Sequence, residues 1–196
     1  MKIKNIKQKG FSLIELMVSM TIFAVVMVIC MGSIVSVLDA NQKSQTLRAV
    51  MDNMNFTLES MTRTIRFGEN YHCSDNVGSP YPTYDQPLDC PNSSLGVNPS
   101  STLYLKTSNG DAVEYSLSGG KIIKTQNGVA SKITSDDVTV TNLTFYVRGS
   151  YAYNSGNDVY QPRVIIVVKG YSGLVQTTKT EFVLETTASQ RKFDFQ

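Results

Sequence analysis

The chain has 196 residues, 18 of them basic and 16 acidic, for a formal net charge of +2. That length holds one membrane helix and one soluble core of about 130 residues. A balance so near neutral offers no basic surface that calls for nucleic acid.

Residues 1–10 read as a leader, with Lys2, Lys4, Lys7 and Lys9. Residues 11–38 follow as an apolar run that carries small polar residues such as Ser19, Thr21, Ser33 and Ser36, and one carboxylate, Glu15. A secretory signal has an apolar stretch of about 7–15 residues with its cleavage site behind it. This run is about 28 residues long, enough to span a bilayer, and the small residue suited to cleavage, Gly10, stands in front of it. Basic residues flanking a span stay cytoplasmic, so the segment after Leu38 is expected outside. Removing the four leader lysines leaves 14 basic against 16 acidic side chains.

Lys9-Gly10-Phe11, with Glu15 as the fifth residue after Gly10 and a long apolar helix behind it, resembles the type IV pilin-like proteins. The resemblance implies that a prepilin peptidase removes residues 1–10, that Phe11 is N-methylated, and that subunits polymerise through their helices. Many relatives have a proline about two-thirds along the run. This chain has Gly32 there, which also weakens a helix, by roughly 1 kcal/mol relative to alanine.

Glu15 carries the physical argument. A carboxylate at the middle of a bilayer costs roughly 2.5–3.5 kcal/mol on insertion scales, and less near its edge. In the cut protein its partner is expected to be the α-amino group of Phe11 on an adjacent subunit. That amine has an ordinary pKa of about 7.7–8 and is largely cationic. A subunit out of register would leave a buried charge unpaired, at about 3–5 kcal/mol. The pairing therefore reads as an alignment device. The alternative is a glutamate that snorkels to the headgroups. In the resemblance, the tip-most K-type subunits lack this glutamate, so its presence argues against that capping position.

Residues 39–68 are expected to continue the helix in amphipathic form. Leu47, Met51, Met54, Leu58, Met61 and Ile65 recur at spacings of 4, 3, 4, 3 and 4, one stripe on a helix. Packing on the chain's own sheet is expected of that stripe, with a coiled-coil seam as the alternative. Gly68 suits a C-terminal cap, and Arg63 and Arg66 favour the helix dipole there.

Residues 69–101 read as loop and hold five of the six prolines (Pro80, Pro82, Pro87, Pro91 and Pro99). Cys73 and Cys90 fall in the exported part and would close a loop of about 18 residues with a structural disulfide, contributing about 3 kcal/mol. Two free thiols or half of a metal site are the alternatives, and His72 is the sole histidine. Cys30, in the apolar run, reads as a small buried hydrophobe.

Residues 102–196 read as the β-sheet part of the same soluble domain. Strands are expected at 102–107, 112–117, 121–125, 138–147, 163–169 and 181–187, mostly antiparallel. Asn109-Gly110 and Gly119-Gly120 mark hairpin turns. The uninterrupted Val164-Ile165-Ile166-Val167-Val168 predicts a central strand buried on both faces. The length of this β-rich part, the Leu143-Thr144-Phe145-Tyr146 strand and the ending Ala188-Ser189-Gln190-Arg191 are most similar to J-type minor pseudopilins of type II secretion and W-type minor pilins.

No catalytic, phosphate-loop or metal-site pattern is present, so neither an enzyme nor a cofactor is expected. Asp136-Asp137 lacks the ligand spacing of a calcium loop and reads as a solvated turn. Tyr151, Tyr153 and Tyr160 could form a contact patch or ordinary sheet cover. The sequence thus predicts an α+β, pilin-like fold, a long N-terminal helix on an antiparallel sheet. Its role would be that of a non-enzymatic minor pilin or pseudopilin. Its partners would be other pilin subunits, the prepilin peptidase/N-methyltransferase and the cytoplasmic membrane, in a single-pass topology. A pilus-associated binding subunit (an adhesin or DNA-uptake pilin) is the alternative, and a membrane-anchored sensor or enzyme stands behind that.

Overall fold

The computed structural model describes residues 10–73, 86–94, 96–151, 160–172 and 179–191. The leader lysines, Tyr153, Pro80 and Pro82 lie outside them. Two compact units are present, Met1–Gln45 and Thr46–Gln196. One helix, α1 (Leu13–Arg66), begins in the first and ends in the second. No proline interrupts it, and Arg63 and Arg66 lie in its last turn, where cations suit the carbonyl end of a helix.

In the second unit, the buried side of α1 is Val50, Met54, Thr57, Leu58, Met61 and Ile65. The lower part of the expected stripe is there, but its upper end is not. At 100° per residue Met51 falls on the flank of that face and is half-buried, and Val50 takes the centre. Leu47 remains exposed. The Thr57 hydroxyl faces the Asn53 carbonyl at 2.9 Å and the Ile133 carbonyl at 3.0 Å, tying the helix to the strand-rich part of the chain.

Eight strands follow among the described residues: β1 (Glu69–His72), β2 (Leu103–Lys106), β3 (Ala112–Ser118), β4 (Lys121–Gln126), β5 (Val129–Lys132), β6 (Val138–Arg148), β7 (Arg163–Ser172) and β8 (Thr180–Ser189). They form two antiparallel sheets, β1-β2-β3-β4-β5 and β6-β7-β8, rather than one. Sequential order follows from tight turns. Gly119 and Gly120, at φ 56° and 73°, join β3 to β4, and Asn127 and Gly128, at φ 50° and 85°, join β4 to β5. Paired positive φ values match the right-handed twist of the flanking strands.

Alternating residues enter a shared core with the helix: Leu103 and Leu105 of β2, Val113 and Tyr115 of β3, Phe145 and Val147 of β6, and Val164, Ile166 and Val168 of β7. In β6 the inward phase runs Val138, Val140, then Leu143, Phe145, Val147. A register shift between Val140 and Asn142 supplies the extra residue that keeps both halves facing in. Opposite it lies Gly170, where a Cβ would meet the Thr139 carbonyl at 2.5 Å and the Phe182 ring at 2.8 Å. Strand β7 is central to its sheet, as its apolar run predicts. It is not buried on both faces, however: Ile165 and Val167 are only half-covered.

The stretch 69–101 also departs from a plain loop. Its start is β1, antiparallel to β2. Further on, Cys90 exchanges backbone hydrogen bonds with Val147 (3.0 and 2.9 Å) and Ser100 with Phe145 (3.3 and 2.7 Å). The segment thus covers the open edge of β6 and links the two sheets. Cys73 and Cys90 are disulfide-bonded, with Cα atoms 6.0 Å apart. Both are fully buried, and the Cys90 sulfur lies 3.4 Å from the Phe145 carbonyl oxygen.

Candidate functional site

Gly10 and Phe11 precede the helix and are exposed, Phe11 at 85%. Helical hydrogen bonding starts with the Leu16 amide donating to the Ser12 carbonyl at 3.2 Å. Glu15 therefore sits in the first turn, where unpaired backbone N–H groups favour an anion. Its side chain is exposed and has no ion pair among the described residues.

Beyond it, every residue from Leu16 to Leu38 is exposed, large apolar side chains included. The segment is long and apolar enough to cross a membrane. Three of its hydroxyls are satisfied within the helix. Ser19 donates to the Leu16 carbonyl at 2.9 Å, Thr21 to Val18 at 2.8 Å and Ser33 to Ile29 at 3.1 Å. Hydrocarbon offers no other partners, so this internal bonding suits lipid. Cys30 is a free, exposed thiol.

A family profile described as the prokaryotic N-terminal methylation motif matches residues 5–31. The N-terminus is thus similar to that of type IV pilin-like proteins. That motif implies processing by a prepilin peptidase and assembly of pilin-type subunits, and the family is structural rather than enzymatic. The exposed apolar helix of this pilin-like chain is consistent with membrane anchoring. No curated protein and no solved structure matches the chain, so nothing assigns it to the J-type or the W-type subfamily, or to a pilus over a secretion system.

The remaining candidate residues fall in the second unit. His72 Nδ1 lies 2.8 Å from the Gln86 carbonyl, and its ring meets Tyr104 edge-on. Among the described residues, no three His, Cys, Asp or Glu side chains converge as a metal site would require. Asp136 instead pairs with Lys132, and that ammonium holds its carboxyl below the usual range. The same turn is bound by a cation that sequence reading missed. Lys121 Nζ donates to the Ser135 and Asp136 carbonyls, each at 2.9 Å, and to that of Val138.

Tyr151 and Tyr160 both line a cavity of about 560 Å³. Asp89 is also there, but its carboxylate accepts from the Gly149 and Ser150 amides at 3.1 and 2.8 Å. The Arg148 guanidinium lies 4.7 Å from the centre of the Tyr160 ring. Arg148 and Arg163 were not legible as neighbours, because only strand register places them opposite each other.

Proposed function

We propose that the chain is a structural minor subunit of a pilin-like filament, cut after Gly10 and N-methylated at Phe11. Residues 11–38 hold it in the cytoplasmic membrane until assembly, with the second unit outside. Glu15 then aligns it by pairing with the α-amino group of Phe11 on a neighbouring subunit.

The observation that carries this reading is the setting of Glu15. It is an exposed carboxylate without an ion pair among the described residues, at the head of an exposed apolar helix. In lipid an unpaired charge is costly, and attraction to a cation strengthens as the dielectric falls. A partner on another molecule satisfies both terms. The exposed Gly10-Phe11 junction ahead of the helix suits attack by a peptidase at the membrane face.

Intact-mass analysis of the native protein tests the processing: a mature chain beginning at methylated Phe11 is expected, and a terminus at Met1 would sink the reading. Glu15→Leu tests the alignment. Incorporation into filaments should fall roughly tenfold or more, given a penalty of about 3–5 kcal/mol for an unpaired buried charge. Membrane insertion should be unimpaired.

A further inference from the structure

Strand pairing places Arg148 of β6 directly opposite Arg163 of β7, on the exposed face of the three-stranded sheet. Like charges in that relation repel and weaken a sheet. Among the described residues, no ion pair reaches either of them. The ion pairs among the described residues join Arg63 to Glu59, Lys132 to Asp136 and Lys179 to Glu181. Asp89, a carboxylate lining the same cavity, is committed to two backbone amides. Both arginines line the 560 Å³ cavity, which the polar turn Asn92-Ser93-Ser94 also lines.

We infer that this cleft binds an acidic peptide segment of a protein partner, with Arg148 and Arg163 receiving its carboxylates. Guanidinium forks match carboxylates in a planar, two-bond geometry. The aromatic shelf favours a peptide over an acidic sugar. The Tyr160 ring has the Arg148 guanidinium over it at 4.7 Å, so that face orients a cation and is not open to a sugar ring. Ser93 and Ser94, exposed and lining the same cavity, offer hydroxyls to a peptide backbone. Such a site is independent of Glu15 and of the membrane helix, and it holds whether or not the chain polymerises as proposed above.

The test uses the full chain in detergent micelles and a fluorescent tetraglutamate peptide, with tetraglutamine, inorganic phosphate and glucuronate as comparison ligands. Saturable binding of tetraglutamate is expected, weakening as salt rises and falling at least tenfold in Arg163→Glu. Arg163→Lys, which keeps the charge and loses the fork, should fall between. Arg163 is exposed, so its variants should fold, Arg163→Lys melting as wild type does and Arg163→Glu, which removes the repulsion, melting no lower. Equal binding of tetraglutamine, or an affinity unchanged by Arg163→Glu, would overturn the site. Tighter binding of phosphate or glucuronate than of tetraglutamate would overturn the peptide as its ligand.

Discussion

The Tyr71 hydroxyl donates to the Ile65 carbonyl at 2.7 Å, so a side chain from the first strand closes the end of the long helix. The same hydroxyl is 2.7 Å from the Gly68 carbonyl. The last carbonyls of a helix have no partner within it, and here burial removes water as a substitute, since Tyr71 is 1% exposed. The Gly68 amide returns to Ile65 at 2.9 Å, and the Arg191 amide reaches the Arg66 carbonyl at 2.8 Å.

Tyr71→Phe keeps the ring and removes the donor. Leaving buried carbonyls short of a hydrogen bond costs about 1–3 kcal/mol. At about 2–4 °C per kcal/mol for a domain of this size, the thermal midpoint should drop by several degrees. Hydrogen exchange should localise the loss to the last turns of α1. A midpoint equal to wild type would mean that the phenol bears no weight there.

The disulfide supports the core two residues further along the chain from Tyr71. It joins the end of β1 to the segment that covers the β6 edge, across a sequence separation of 17. Closing a loop of that size restricts the unfolded chain by about 3 kcal/mol. The double variant Cys73→Ser, Cys90→Ser should lose about that much in urea titration. Reductant should reproduce the loss in wild type and leave the double variant unmoved.

Much of this fold was legible because its signals are local. The spacing of Met54, Leu58, Met61 and Ile65 gave the buried helix face, and Asn109-Gly110 and Gly119-Gly120 marked two of the turns that build the larger sheet. Asn127-Gly128 is the same signal and was passed over, because β5 beyond it is only four residues long and fully exposed, with no alternation to notice. Strand β1 was missed for a related reason: Asn70 sits at φ 55° and the pairing with β2 shifts register, so no period of two survives. Gly68 was found for the wrong reason. Its φ is not left-handed; a Cβ there would meet Leu105 Cδ1 at 2.6 Å and the Lys106 and Thr64 carbonyl oxygens at 3.0 and 3.2 Å, and that crowding is what disfavours a side chain. At the N-terminus, Gly10, Phe11 and Glu15 were readable as a set because they lie within six consecutive residues. The Arg148–Arg163 pair depends on register across fifteen residues of sequence, which no local pattern encodes.

Tyr115 gives the fold a sensitivity to alkaline pH. Its side chain is fully buried, and burial pushes the phenol above its ordinary value, with Thr64 offsetting part of that. The Thr64 hydroxyl already donates to the Ser60 carbonyl at 3.1 Å. No group among the described residues faces the phenol with full hydrogen-bond geometry, so desolvation wins. A raised pKa means that, above the ordinary tyrosine value of about 10, the unfolded chain releases this proton while the folded chain keeps it. The unfolded state then binds fewer protons, and stability falls with rising pH. The contribution is whole below about pH 10 and is lost as pH climbs through the folded value. Tyr115→Phe removes the titrating group along with an unsatisfied buried hydroxyl, a change that can be neutral or stabilising at pH 7. Urea midpoints measured at pH 8, 10 and 11 should therefore fall more steeply in wild type than in the variant. Parallel curves would show that Tyr115 ionises in the folded protein as readily as in the unfolded chain.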